Sequence, residues 1–304
     1  MDRFQPSSAV MLFIIMSSLL LTGAKSATFT LVNQCNYTVW PGVLTGAGIA
    51  QLAATGFVLS SGNTTVFTAP SSWSGRIWGR TLCSVNATTN AFSCLTADCG
   101  TGAVACNGNG AEPPATLVEL TLGGYGGADF YDVSLVDGYN LPMSVTPVDG
   151  TGNCSAVTCD ADLNASCPDA LRVEIGGESV ACKSACDAFG DPQNCCSGSY
   201  ASPSACKRTS YSEFFKSQCP DAYSYAFDDA SSIFTCSGAD FLITFCATEA
   251  TTAKKSTPPT NNTTSSGSLQ ITSTAPMHFS AALTALLTSL GWLIHQLFFC
   301  SLDH

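Results

Sequence analysis

The residues able to do chemistry in this chain are carboxylates. The three histidines are His278, His295 and His304, so everything before them lacks imidazole. Ser-His-Asp triads, Cys-His pairs and His-ligated metal sites are excluded there, and proton transfer near neutral pH falls to Asp and Glu. Three acids stand out by position. Glu119 lies within the β-type run 115–122, and Asp132 lies within the similar run 129–136. Asp137 follows five residues after Asp132. That odd separation sends the two side chains to opposite faces of a regular strand. They can share a site only if the strand ends or turns at Val136-Asp-Gly-Tyr139. Two carboxyls ~5–10 Å apart, one protonated and one ionised, are what glycosidic cleavage needs. Crowded like charges raise one pKa, and a neighbouring arginine keeps another acid ionised. Composition alone reads the same residues more simply, as a solvated acidic face with a structural ion pair.

The elements that must position these acids are short. Residues 28–32, 37–40, 56–60, 63–67, 75–78, 115–122, 129–136 and 237–247 are rich in branched and aromatic side chains. Gly, Pro and Asn punctuate them, which predicts antiparallel strands in a sandwich or barrel. Between about residues 160 and 219 the texture changes to Cys, Gly, Ser and Asp, with short helices predicted over 178–188 and 210–217. This stretch reads as a loop-rich lobe held by disulfides rather than by a core. Trp40, Trp73 and Trp78 read as core or strand-edge aromatics. Tyr125, Tyr131 and Tyr139 are candidates to stack on a sugar face.

The chain has 304 residues, 17 cysteines and a formal net charge of −11. Such a balance argues against a nucleic-acid partner, and the cysteine count places the protein in an oxidising compartment. No metal or cofactor is implied. Residues 1–26 have a basic start, a short apolar stretch and small residues at the end, the anatomy of a secretory signal. Residues 251–276 form a Ser/Thr/Pro/Asn-rich stalk, and 277–304 form an apolar tail. Small residues and a polar spacer ahead of the tail suit a glycosylphosphatidylinositol anchor attached at Ser265 or Ser266; a retained membrane span is the alternative. Loss of the tail removes Cys300 and leaves an even sixteen cysteines. Sequons at Asn36, Asn63, Asn86, Asn153 and Asn164, with Asn261 and Asn262 in the stalk, are candidate glycosylation sites.

Several segments carry a family resemblance. Arg76-Ile-Trp-Gly-Arg-Thr-Leu-Cys83, Cys94-Leu-Thr-Ala-Asp-Cys99-Gly, Phe130-Tyr-Asp-Val-Ser-Leu-Val-Asp-Gly-Tyr-Asn-Leu-Pro-Met143 and Cys219-Pro-Asp-Ala-Tyr-Ser-Tyr225 resemble the thaumatin-like proteins, the fifth pathogenesis-related family of plants. One departure is Asn90, where the family signature often has Gly. The resemblance implies a mainly β fold over 27–250. A β-sandwich core (27–80, 113–160 and 220–250) would carry a small disulfide-stapled loop domain (81–112) and a disulfide-rich loop and helix lobe (161–219). Spacing alone leaves about two million pairings for sixteen cysteines. The family implies one: Cys35–Cys246, Cys83–Cys94, Cys99–Cys106, Cys154–Cys236, Cys159–Cys219, Cys167–Cys182, Cys186–Cys195 and Cys196–Cys206. It also implies an acidic cleft formed by Arg76, Glu119, Asp132, Asp137 and Asp229, with Asp228 adjacent to the last. Such clefts bind β-1,3-glucan, and some hydrolyse it weakly, which would make Glu119 the acid and Asp132 or Asp137 the base or nucleophile. The resulting expectation is a secreted monomer, held at the outer face of the plasma membrane, that binds β-1,3-glucan or another wall polysaccharide. Weak endo-β-1,3-glucanase activity, and a membrane-perturbing antifungal or receptor-binding role, are the alternatives.

Overall fold

The computed structural model describes residues 26–247. Residues 1–25 of the expected signal, and the expected stalk and tail with Asn261, Asn262, Ser265 and Ser266, lie outside the described residues. The first strands are β1 (Ala27–Asn33), β2 (Trp40–Thr45), β3 (Thr64–Ala69), β4 (Ser74–Val85) and β5 (Phe92–Thr96). β6 (Leu117–Thr121), β7 (Asp129–Ser134), β8 (Met143–Val148) and β9 (Val157–Cys159) follow. The lobe then contributes α1 (Leu163–Ser166), β10 (Arg172–Ile175), β11 (Glu178–Cys182), α2 (Ala185–Phe189) and α3 (Ser210–Gln218). The chain closes with α4 (Asp229–Ser232), β12 (Phe234–Cys236) and β13 (Asp240–Phe245).

Two sheets face each other. One runs β3-β1-β13-β8-β9 and the other β12-β7-β6-β4-β2, with β5 paired to β4. The first and last strands, β1 and β13, pair in parallel. Strict alternation builds β1: Ala27, Phe29, Leu31 and Asn33 are buried, and the residues between them are half-exposed. Period-two geometry turns every second side chain inward, so Phe29, Ile77, Val118, Val133 and Ile243 form a dry layer at full burial. Rings bind the sheets together: Phe29 meets Trp73 at 5.2 Å, and Tyr131 meets Phe241 at 5.4 Å. Each such side chain contributes about 1.5–3 kcal/mol by leaving water.

Three segments differ from the sequence expectation. Residues 178–188 do not form one helix: the first part is β11, paired with β10, and only Ala185–Phe189 is helical, capped by Ser184. The reason is Gly176-Gly177, both in the left-handed region at φ 62 and 87. Two such residues form the turn that matches hairpin twist, so the chain reverses into a ladder. Residues 56–60 make only isolated bridges, Val39 to Leu59 and Gly42 to Gly56, and 37–40 joins a strand only at Trp40.

Eight disulfides pair Cys35–Cys246, Cys83–Cys94, Cys99–Cys106, Cys154–Cys236, Cys159–Cys219, Cys167–Cys182, Cys186–Cys195 and Cys196–Cys206. The loop after β5 is pinned by the fully buried Arg80, which donates to Trp40 O at 2.9 Å and Val104 O at 2.6 Å. Burial lowers its pKa to about 10. Asn90 has φ 58, a backbone that glycine adopts freely and asparagine tolerates. That is why the family's Gly can be replaced here. Of the sequons, Asn36, Asn63, Asn86 and Asn153 are exposed. Asn164 differs, because its amide donates to Asn140 O at 3.0 Å and Val180 O at 3.1 Å.

Candidate functional site

Register builds the site. Arg76 on β4 stands opposite Glu119 on β6, and Glu119 stands opposite Asp132 on β7. Their neighbours Ile77, Val118 and Val133 point into the core, so the charged three form a lateral row on the other face. Directly opposed residues have Cβ atoms about 4.5–5.5 Å apart, where like charges are unfavourable. Both acids are also shielded from water: Glu119 is 8% exposed and Asp132 3%. Burial, then the charges of Glu119 and Asp229, hold the Asp132 carboxyl well above the ordinary carboxylate range. Its Oδ1 is buried with no hydrogen-bond partner. The site thus favours the neutral form of the Asp132 carboxyl.

The row is closed on one side by the segment before α4. Tyr223 N–H donates to Val133 O at 2.9 Å, and Leu135 N–H donates to Tyr223 O at 2.8 Å, so this segment extends the sheet past β7. The Tyr223 phenol donates to Asp229 Oδ1 at 3.0 Å. Burial, then the charges of Asp132 and Asp229, push its pKa far above the ordinary tyrosine value, which keeps the hydroxyl a donor. Tyr223 is the residue that sequence reasoning missed. Its signal was its place in the motif at Cys219-Pro-Asp-Ala-Tyr.

The two neighbouring aspartates divide their work. Asp228 has no exposed side-chain surface and pairs with Lys216 Nζ at 3.0 Å and with Arg208. Ser224 donates to it from both backbone N–H and hydroxyl, at 3.2 and 2.8 Å. Burial alone would raise its pKa, but Ser224 and Lys216 outweigh that and hold it below the ordinary value. Asp228 therefore fastens the lobe, while Asp229 faces Tyr223 and the row.

On the other side the parity problem is solved by a turn. β7 ends at Ser134, and Gly138 N–H donates back to Leu135 O at 3.0 Å. Gly138 has φ 87, and a Cβ there would meet Cys182 O at 2.7 Å, so the turn requires glycine. The reversal brings Asp137 to Arg76, Oδ2 to Nη1 at 3.7 Å. Asp137 also lines a cavity of about 320 Å³ against the lobe, with Ser184, Asp187, Lys207 and Tyr225. Arg76, Glu119, Asp132, Asp137 and Asp229 are thereby gathered on one side of the sheet. Tyr131 and Tyr139 are not available to a ligand: both are buried, their hydroxyls donating to Ser155 O and Ala161 O. Tyr125 is exposed in a 3-10 turn. Among the described residues, no group of three or more His, Cys, Asp or Glu side chains could hold a metal ion.

A β-sandwich stapled by disulfides, with an arginine and four acids gathered over one sheet, defines the class of protein. The chain belongs to the thaumatin family, whose profile matches residues 33–247. Thaumatin-like protein 1 of Prunus persica is 57% identical over 230 residues, covering 75% of this chain and 93% of its own. A glucan endo-1,3-beta-glucosidase of Prunus avium is 51% identical over 239 residues, covering 78% of this chain and 97% of its own. Among solved structures, a laminaripentaose-producing beta-1,3-glucanase in complex with laminaritetraose covers 72% of this chain and 98% of its own, with a TM-score of 0.47 and 11% identity.

Proposed function

We propose that the acidic row binds β-1,3-glucan of plant or fungal walls, in a secreted, defence-type protein. The observation that carries the reading is the in-register placement of Arg76, Glu119 and Asp132, flanked by Asp137 and Asp229. Ionised carboxylates accept hydrogen bonds from vicinal hydroxyls. A protonated Asp132 adds a donor, and the buried Tyr223 phenol holds Asp229 in place. The Prunus avium relative, named for action on a 1,3-beta-glucan, supports that choice of polysaccharide. In this reading the protein acts as a monomer, and a C-terminal lipid anchor or span keeps it at the outer face of the plasma membrane.

The test is co-sedimentation of the protein, produced from its full chain, with insoluble β-1,3-glucan. Cellulose and chitin are the controls, beside a Glu119→Gln/Asp132→Asn double variant. Binding that is selective for β-1,3-glucan, and at least about tenfold weaker in the variant, is the expected result. Equal pelleting of both proteins removes the cleft from the account.

A second reading, weak endo-β-1,3-glucanase activity, is favoured by the unequal acids. A carboxyl held protonated opposite a second carboxyl is the division of labour that glycosidic cleavage uses. Since burial raises the Asp132 carboxyl, this reading gives the acid role to Asp132, where the sequence-based assignment gave it to Glu119. Release of reducing sugar from soluble β-1,3-glucan, abolished by Asp132→Asn, separates hydrolysis from binding alone.

A further inference from the structure

A second pocket lies at the far end of β4, independent of the acidic row. It has a volume of about 470 Å³ and is lined by Tyr37, Trp40, Leu82, Asn164 and Ser179, among others. β4 supplies Thr81, Leu82 and Cys83 to it. These lie five or more residues from Arg76, which on an extended strand is at least about 17 Å.

Its chemistry is the opposite of the row's. In a chain with a net charge of −11, no residue lining this pocket is charged. One wall is aromatic. Tyr37 is 43% exposed. Its hydroxyl lies 3.6 Å from Cys246 Sγ, a contact that orients the ring before any ligand arrives. Trp40 is half-buried and is backed by Phe92 at 6.2 Å. The other wall carries two buried polar atoms. Asn164 Oδ1 and Ser179 Oγ are both buried without a partner. The orientation of the Asn164 amide is fixed by its two donations to backbone carbonyls, so the unmatched atom is the acceptor. Buried polar atoms without partners are rare in native proteins and call for an explanation.

Preset aromatic rings, unmatched amide and hydroxyl groups and no charge suit one ligand chemistry. A pyranose presents an apolar face for stacking and a rim of hydroxyls for hydrogen bonds. We propose that this pocket is a second binding site, for a neutral saccharide. The ligand is either a free uncharged oligosaccharide or the first sugars of a glycan on the adjacent sequon Asn36.

The pocket carries its own reporter. Among the described residues Trp73 and Trp78 are fully buried and Trp40 is not, so acrylamide quenching that is lost in Trp40→Phe reads this site. The full chain would be titrated with β-1,3-linked glucohexaose, cellohexaose, xylohexaose and mannohexaose. At least one should protect Trp40 from quenching. Protection should survive in the Glu119→Gln/Asp132→Asn variant and require about tenfold more sugar in Tyr37→Ala. If the glycoprotein is already protected without added sugar and Asn36→Gln exposes Trp40, the occupant is its own glycan, which equally supports a saccharide site. The proposal is overturned if no sugar and no glycan alters Trp40 quenching. It is also overturned if protection disappears with the acidic double variant while persisting in Tyr37→Ala. Failure of the glucan reading at the acidic row leaves this result untouched, because the two sites are read by different variants.

Discussion

Asp132 is where the physics of this molecule is most concentrated. Its carboxyl titrates at about pH 4 in an unfolded chain and well above that in the folded one, because it is buried opposite Glu119 and near Asp229. The native state therefore holds a proton that the unfolded state releases. The stability contributed by protonated Asp132 is complete below about pH 4 and is lost as pH rises toward the folded value. Replacing it with Asn keeps the shape and removes the titration. The melting temperature of the wild type, measured relative to Asp132→Asn, should therefore fall from about pH 4 upward. Parallel curves for the two proteins would mean that Asp132 is ionised in the fold. The sequence could indicate the crowding of acids but not which one keeps its proton. That depends on burial, and Glu119 and Asp132 have equivalent places in their strands.

At the scale of elements, the alternating runs were legible and the connections between them were not. The strands β1, β3, β6, β7 and β13 and the first part of β4 follow from runs rich in branched and aromatic residues, and α3 follows from the short helical run 210–217. The cross-strand register that lines up Arg76, Glu119 and Asp132 is set by ladder pairing and cannot be counted from one strand. The hairpin of β10 and β11 is not legible from residues 178–188 alone, because the Gly176-Gly177 turn that makes it lies just ahead of them. The parity of Asp132 and Asp137, by contrast, correctly demanded a turn. The lobe's attachment yields the second prediction. Asp228 receives Arg208, Lys216 and Ser224 from three points of the chain and sits beside Asp229. Asp228→Asn leaves Lys216, itself only 13% exposed, without its counter-charge. Loss of one partner of a buried pair costs about 3 kcal/mol. Urea unfolding should show that loss, and glucan co-sedimentation should weaken with it as Asp229 shifts. A change below about 0.5 kcal/mol would reduce Asp228 to a surface residue that happens to be covered.

Across the whole molecule the thread is closure. Few charged side chains, many glycines and a sandwich of short strands leave a fold whose ends and lobe are fastened covalently. The parallel contact of β1 with β13 brings the two ends of the domain together, and Cys35–Cys246 locks it across 211 residues. Cys83–Cys94 closes only 11 residues across the β4–β5 ladder. If these bonds act by restricting the unfolded chain, their contributions scale with the logarithm of the loop. That gives about 5 kcal/mol for the long bridge and about 3 kcal/mol for the short one. For a domain of this size each kcal/mol shifts the melting temperature by about 2–4 °C. The Cys35→Ala/Cys246→Ala double variant should therefore melt lower than Cys83→Ala/Cys94→Ala, by about 4–8 °C. The measurement is a pair of thermal melts under conditions where the remaining bridges stay oxidised. An equal loss in the two variants would show that native packing around each bridge, rather than the length of chain it closes, sets its contribution. The joined termini would then hold through the Phe29–Phe241 ladder without their covalent lock.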